Sequence, residues 1–162
     1  MLGVDDGVMQ GRETTPDDAL TALYEREWGP LLRVAFLLVG SQSIAEEIVQ
    51  DAFVSLQASR SEVRNPGAYL RVSVINACRS VHRHRAVIAR NPIQPWRNEQ
   101  PAEYDDLRDA VQKLPYRQRA VLILRYHLQL NESEIATALA CRPGTVRSST
   151  HRALAALRKD LS

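Results

Sequence analysis

Between Ala86 and Ala102 the chain carries Pro92, Pro95 and Pro101 and no periodic spacing of apolar residues. A proline inside a helix removes a hydrogen bond and clashes with the preceding turn, and it pushes the residue before it towards extended backbone. No single packed element can cross such a stretch, so the chain must fold on either side of it. A connection of this length exceeds what compact domains use between neighbouring elements, whereas two domains on a tether accommodate it. The expected organisation is a disordered N-terminus over residues 1–15, a first domain over 16–85, a flexible linker over 86–102 and a second domain over 103–162.

Both flanks read as helical. In "TPDDAL", Thr15 is placed to cap a helix, Pro16 suits its first turn, and Asp17 and Asp18 face the positive end of the dipole. Apolar residues then recur at helical spacing through Leu20, Leu23 and Tyr24 to Leu31, Leu32, Ala35, Phe36 and Leu38. Pro30 is expected to kink or divide this helix, and Gly40 to end it. Ser43 with Glu46 has the spacing of a capping box for a second helix, which is apolar at Ile44, Ile48, Val49, Ala52, Phe53 and Leu56. A third helix, from about Pro66 into "VHRHR", would bury Leu70, Val74, Ala77 and Val81 and turn Val72, Asn76, Arg79 and Arg83 outward.

Beyond the linker, "EYDDLRDAVQKL" forms one amphipathic helix, and Pro115 opens another with Val121, Leu122, Leu124 and Tyr126 mostly inside. Asn131 and Glu134 cap a short helix reaching Leu139, and a last helix runs from about Gly144 to Lys159. No period-two alternation survives anywhere, so the expected fold class is all-α, two small helical domains joined by a flexible linker.

Net charge is only +2, and its distribution is more informative than the total. Ile135–Lys159 holds five basic side chains and no acid, and Arg79–Arg90 holds four arginines, two histidines and no acid. Two basic segments in a balanced chain suggest two surfaces for one polyanion. The longest uncharged apolar run, Val34–Gly40, is far short of a membrane span, and the N-terminus lacks the pattern of a signal peptide, so a cytoplasmic protein without membrane insertion is expected. Cys78 and Cys141 suit reduced, buried thiols. No Gly-rich phosphate loop and no nucleophile–base set can be assembled. Cys78 and His82 lie one helical turn apart, but two ligands do not make a metal site. An enzyme is therefore not expected, and no catalytic residue, metal or cofactor is assigned.

The C-terminal stretch "SEIATALACRPGTVRSSTHRAL" has the form of a helix-turn-helix: a short helix, a tight turn and a longer basic helix. With Val146, Thr150, Ala153 and Leu157 inward, Thr145, Arg147, Ser148, His151 and Arg152 are left on the exposed N-terminal half, the part that reads a major groove in this motif. Arginine can pair with guanine edges or phosphates, and serine and threonine reach either. An acid here would face the phosphate field, so its absence fits salt-sensitive DNA binding.

The segment "LPYRQRAVLILRYHLQLNESEIATALACRPGTVRSSTHRALAALR" resembles region four of the sigma-70 family of transcription initiation factors. "LYEREWGPLLRVAFLLVGSQSIAEEIVQDAFVSLQ" with "VRNPGAYLRVSVINACRSVHRHR" resembles region two, and the short two-region layout resembles the extracytoplasmic-function (ECF) group. The resemblance implies a factor that binds the beta-prime and beta subunits of core RNA polymerase, reads the minus-ten and minus-thirty-five elements of promoter DNA and helps melt it. It implies polymerase contacts at Glu47, Gln50 and Asp51, and minus-thirty-five contacts at Thr145, Arg147, Ser148, His151 and Arg152. Minus-ten contacts fall at Arg64, Asn65, Asn76, Arg79 and Arg83, the first two in a loop that holds a flipped-out base in the family. It also implies an anti-sigma protein as a partner. The chain departs from the family pattern at Ser149, where arginine is frequent, at Thr150, where leucine is frequent, and at Ala140, where the turn usually has glycine. The competing reading is a helix-turn-helix regulator that never binds polymerase; it accounts for residues 103–162 alone.

Overall fold

A computed structural model describes residues 15–90 and 106–162, and of residues 87–90 the backbone only. The described residues form α1 (Pro16–Val39), α2 (Gln42–Ala58), α3 (Pro66–Arg90), α4 (Asp106–Lys113), α5 (Tyr116–Tyr126), α6 (Glu132–Ala138) and α7 (Pro143–Asp160), with no strand among them.

The first helix starts where its capping chemistry places it. The Thr15 hydroxyl accepts from Asp18 N–H, and the Asp18 carboxylate accepts from Thr15 N–H in return. Pro30 does not divide α1. Leu31, Val34, Ala35 and Leu38, all beyond the proline, are buried against α2 and α3, and that packing holds the helix together across the missing hydrogen bond. Gly40 then takes a left-handed conformation (φ 74°) and returns its N–H to the Phe36 carbonyl. Because α1 stops in this way, Ser41 is the next extended residue, and it caps α2 by accepting from Ile44 N–H at 3.4 Å. Ser43 already lies inside the helix, so the expected Ser43–Glu46 box does not form; Gln42 holds Glu46 instead, at 2.9 Å.

The third helix runs to Arg90, five residues into the stretch read as linker from Ala86. No breaker precedes Pro92, so nothing stops the helix earlier. Residues 91–102 of that linker, and residues 1–14 of the N-terminus, lie outside the described residues. Leu31, Leu38, Val49, Leu56, Leu70, Val74 and Ile75 fill the core between α1, α2 and α3.

In the second half, Val121, Leu124, Ile135 and Val146 are fully buried between α5, α6 and α7. Asn131 and Glu134 form the expected reciprocal cap on α6. Ala140, between α6 and α7, is left-handed (φ 50°). Tyr126, expected inside, is 61% exposed as the last residue of α5.

The two halves are in contact, which the sequence did not indicate. Buried residues of both belong to one continuous cluster, and the halves meet at the C-terminal end of α1 and along α3. Phe36 lies under the Arg108 guanidinium (4.6 Å), and the Leu37 and Leu38 carbonyls accept from Gln112 and Arg119. No helix among the described residues is long and apolar enough to cross a membrane.

Candidate functional site

The expected recognition helix is α7. Pro143 opens it without losing a needed donor. Val146, Ser149, Thr150 and Ala153 are buried, while Arg147, Ser148, His151 and Arg152 are exposed and Thr145 is half-buried. Burial also accounts for Ser149 and Thr150: they face the helical core, where Thr150 returns its hydroxyl to the Val146 carbonyl at 2.8 Å. A long charged side chain at Ser149 would not lie on the exposed face with the others.

Arg147 is not alone on that face. Its guanidinium grips Glu132, from the first turn of α6, through contacts of 3.0–3.2 Å. This hydrogen bonding holds the Glu132 carboxyl below the usual carboxylate range and pushes Arg147 up. Charge spacing along α7 gives no hint of the pair, because its members lie on different helices. Ser148 donates to the Thr145 carbonyl at 3.1 Å, leaving its oxygen free to accept.

A second basic face follows α3. Asn76 and Arg83 are exposed and Arg79 is half-buried. Arg79 donates to the Asn76 side-chain oxygen at 2.7 Å, which leaves the Asn76 amide N–H groups as the outward donors. Arg64 and Asn65 are exposed in the loop before the helix. Asn65 also caps α3, its side-chain oxygen accepting from Ala68 N–H at 3.1 Å, so its remaining amide N–H groups are what it can offer a ligand. Next to this cap a cleft of about 370 Å³ opens between α1 and α3, lined by Arg26, Glu27, Asn65, Gly67 and Arg71. Glu27 and Arg71 were not singled out from the sequence. Arg71 follows the loop by a few residues and was within reach of that reading; Glu27 comes from a distant helix, and no local pattern announces it.

On α2, Glu47, Gln50 and Asp51 form one exposed ridge. Val54 continues it at 60% exposure, an apolar side chain that the focus on charge passed over. Phe53 is buried beneath, tilted against Tyr24 (5.0 Å) and Trp28 (6.1 Å), and it anchors the ridge to α1. Tyr69 is half-buried and packs on the same core.

Cys78 is fully buried, and burial pushes its thiol up to about 12, so it is protonated and unreactive near neutral pH. Its helical neighbour His82 stacks on Tyr116 of α5 at 4.8 Å. Among the described residues no three His, Cys, Asp or Glu side chains gather in a group able to hold a metal ion.

Comparison with known proteins follows the same division. Residues 23–87 match the family model for sigma-70 region 2, and residues 104–157 the model for sigma-70 region 4. The chain is 34% identical over 140 residues to the RNA polymerase sigma-E factor of Streptomyces coelicolor, covering 81% of this chain and 79% of that one. It is 27% identical over 162 residues to the sigma factor SigV of Bacillus subtilis, covering 95% and 97%. Among solved structures it resembles the sigma factor RpoE crystallised with the anti-sigma factor NepR from Bartonella quintana, with TM-score 0.75, 23% identity and coverage of 88% and 96%. It also resembles CnrH in complex with the cytosolic domain of CnrY, with TM-score 0.68, 21% identity and coverage of 91% and 90%. These last two show a shared all-helical fold.

Proposed function

Because the chain belongs to the sigma-70 family of RNA polymerase sigma factors, we propose that its three exposed faces divide one task, the initiation of transcription at a particular set of promoters. The face of α7 carrying Arg147, Ser148, His151 and Arg152, with Thr145 at its edge, reads the minus-thirty-five duplex. Asn76, Arg79 and Arg83 follow the separated non-template strand at the minus-ten element. Asn65 borders the cleft that takes an unstacked base, with Arg64 exposed beside it in the loop, and Glu27 and Arg71 supply an acceptor and a donor within it. The α2 ridge of Glu47, Gln50, Asp51 and Val54 docks on the polymerase. The chain acts by positioning, not by catalysis, and works in the cytoplasm, where polymerase and DNA are.

The observation that carries this reading is the presence, in one chain, of two separate basic faces and an acidic ridge on a third surface. A plain helix-turn-helix regulator needs only the face of α7. A protein of this fold, the sigma factor RpoE, has been crystallised with the anti-sigma factor NepR, which supports a protein of that kind as the holding partner of this chain as well.

The test is size-exclusion chromatography with purified core polymerase. A stable complex is expected, and Asp51→Arg should lower its yield while leaving the helical circular-dichroism signal unchanged. A chain that never co-elutes with core yet binds duplex DNA tightly alone would support the regulator reading instead.

A further inference from the structure

The exposed face of α7 has no acid of its own, yet a carboxylate stands against it. Glu132, from the first turn of α6, reaches across to Arg147. The other acids described in the second half are engaged or placed elsewhere. Glu134 caps α6, Asp160 pairs with Lys113 at the far end of α7, and Asp106 and Asp109 belong to α4. A carboxylate beside a DNA-facing surface opposes the phosphates. Glu132 therefore weakens contact with any duplex, unless it improves what Arg147 does there.

The contact takes one particular part of the arginine. Arg147 Nε donates to both carboxylate oxygens, at 3.1 and 3.2 Å, and Nη2 donates to Oε1 at 3.0 Å. Glu132 thus holds the side edge of the guanidinium. Nη1 has no partner among the described residues, so the end edge, made by Nη1 and the second hydrogen of Nη2, is turned away from the carboxylate. Glu132 is half-buried and Arg147 exposed, so the carboxylate is the fixed member of the pair. The reciprocal cap of Asn131 and Glu134 sets the turn that carries it, and the fully buried Ile135 and Val146 lock α6 against α7. Hydrogen bonding from Arg147, and then the charges of Arg147 and Arg125, keep Glu132 ionised near neutral pH.

We propose that Glu132 is a positioning residue for minus-thirty-five recognition: by holding the side edge of Arg147 it presents the end edge as a fixed fork to a guanine and draws the arginine away from the phosphates. This rests on the function proposed above. A guanine offers O6 and N7 as adjacent acceptors in the major groove, and the end edge can meet both with the ion pair intact. An arginine fixed towards the groove floor reaches the flanking phosphates only by swinging off Glu132. The pair is therefore kept on a matching site and broken on a mismatched one, where the abandoned carboxylate also faces the phosphates. Holding the side chain beforehand removes rotamer freedom that binding would otherwise take away. Each effect favours the guanine site over its competitors, so Glu132 lowers affinity for duplex in general and raises discrimination at one base pair.

The experiment uses holoenzyme assembled from purified core polymerase and the full chain as wild type, Glu132→Gln, Glu132→Ala, Asp109→Asn, Arg147→Ala and the double variant Glu132→Gln/Arg147→Ala. Fluorescence anisotropy measures half-saturation on a promoter fragment that wild type transcribes, and on fragments with each minus-thirty-five base pair changed in turn, at several potassium chloride concentrations. Circular dichroism measures helix content. Wild type is expected to discriminate at one G·C pair to which Arg147→Ala is indifferent. Both Glu132 variants are expected to keep their helix content and to lower the discrimination ratio at that pair about threefold to tenfold, with the other positions unchanged. The change should come from tighter binding to the mismatched fragment, whose salt slope steepens by about one. Asp109→Asn alters net charge equally and is expected to leave the ratio alone, and Glu132→Gln is expected to add nothing once Arg147 is gone. An unchanged ratio in the Glu132 variants, a loss spread evenly over all positions, the same loss in Asp109→Asn, or a full effect without Arg147 would each overturn the inference. So would discrimination by Arg147 at a pair other than G·C, or a fall in helix content in both Glu132 variants, which would make Glu132 a structural residue. Wild-type holoenzyme indifferent to every minus-thirty-five change would instead overturn the proposed role of α7, and this inference with it.

Discussion

Arg147 has two competing claims on it, Glu132 in the free protein and the phosphates or base edges of a promoter. Arg147 is exposed and Glu132 half-buried, and an ion pair at the surface contributes little to stability, so its exchange for DNA is inexpensive. Arg147→Ala, or Arg152→Ala, is expected to weaken minus-thirty-five recognition by about 1–3 kcal/mol, read as the loss of transcription from the cognate promoter relative to one with an altered minus-thirty-five sequence. Ala140 is a different case. An alanine at φ 50° stores left-handed strain of about 1 kcal/mol that glycine does not, so Ala140→Gly is expected to raise the thermal midpoint with DNA recognition intact. At this scale the sequence was readable wherever one helix decides the outcome. The outward set on α7 followed from its period, and the burial of Phe53 from its stripe. Glu132 as the partner of Arg147, and Glu27 in the cleft, depend on how separate helices meet, which no local spacing encodes.

Among the elements, α2 and α6 carry the clearest consequences. Glu47, Gln50, Asp51 and Val54 share one face at helical spacing, with Phe53 fixed beneath it, so the ridge is presented by a rigid helix. Reversing the charge at Asp51 is expected to reduce association with core polymerase mainly through loss of complementarity, checked by co-elution and by unchanged thermal unfolding. On α6, Asn131→Ala removes one half of a reciprocal cap and is expected to cost about 1 kcal/mol in denaturant-midpoint terms, with a smaller minus-thirty-five complex as a result of a looser turn. Helix identity and most start signals were legible because capping residues and prolines act locally. Boundaries slipped where two local signals competed: Ser41 and Ser43 both can cap, and the left-handed Gly40 decided between them. The longer reach of α3 had no stop signal to reveal it.

For the whole molecule, the sequence suggested two bodies on a string, and the structure brings them together through backbone carbonyls at a helix end. Such acceptors carry no side-chain signature, so this contact could not be read in advance. The contact between the halves is expected to respond to pH. Burial, and then the charges of Arg119 and Arg85, hold His82 below its ordinary value; the Tyr116 phenol, kept neutral by burial, stacks on it, and Lys113 lines the same cleft. A histidine depressed within this contact takes up its proton more readily once the contact is lost, so the contact is unaffected above the ordinary histidine range and weakens as pH falls through and below it. Scattering at pH 7.5 and pH 5.5 should show expansion on acidification that His82→Gln reduces. The central claim, that this chain directs polymerase to promoters, is tested most directly by run-off transcription with purified core enzyme and genomic promoter fragments. Discrete transcripts that depend on the protein, that Asp51→Arg removes through core binding and that Asn76→Ala reduces at the opening step, are the predicted result. No protein-dependent transcript from any fragment, with the same preparation binding duplex DNA unaided, would contradict it.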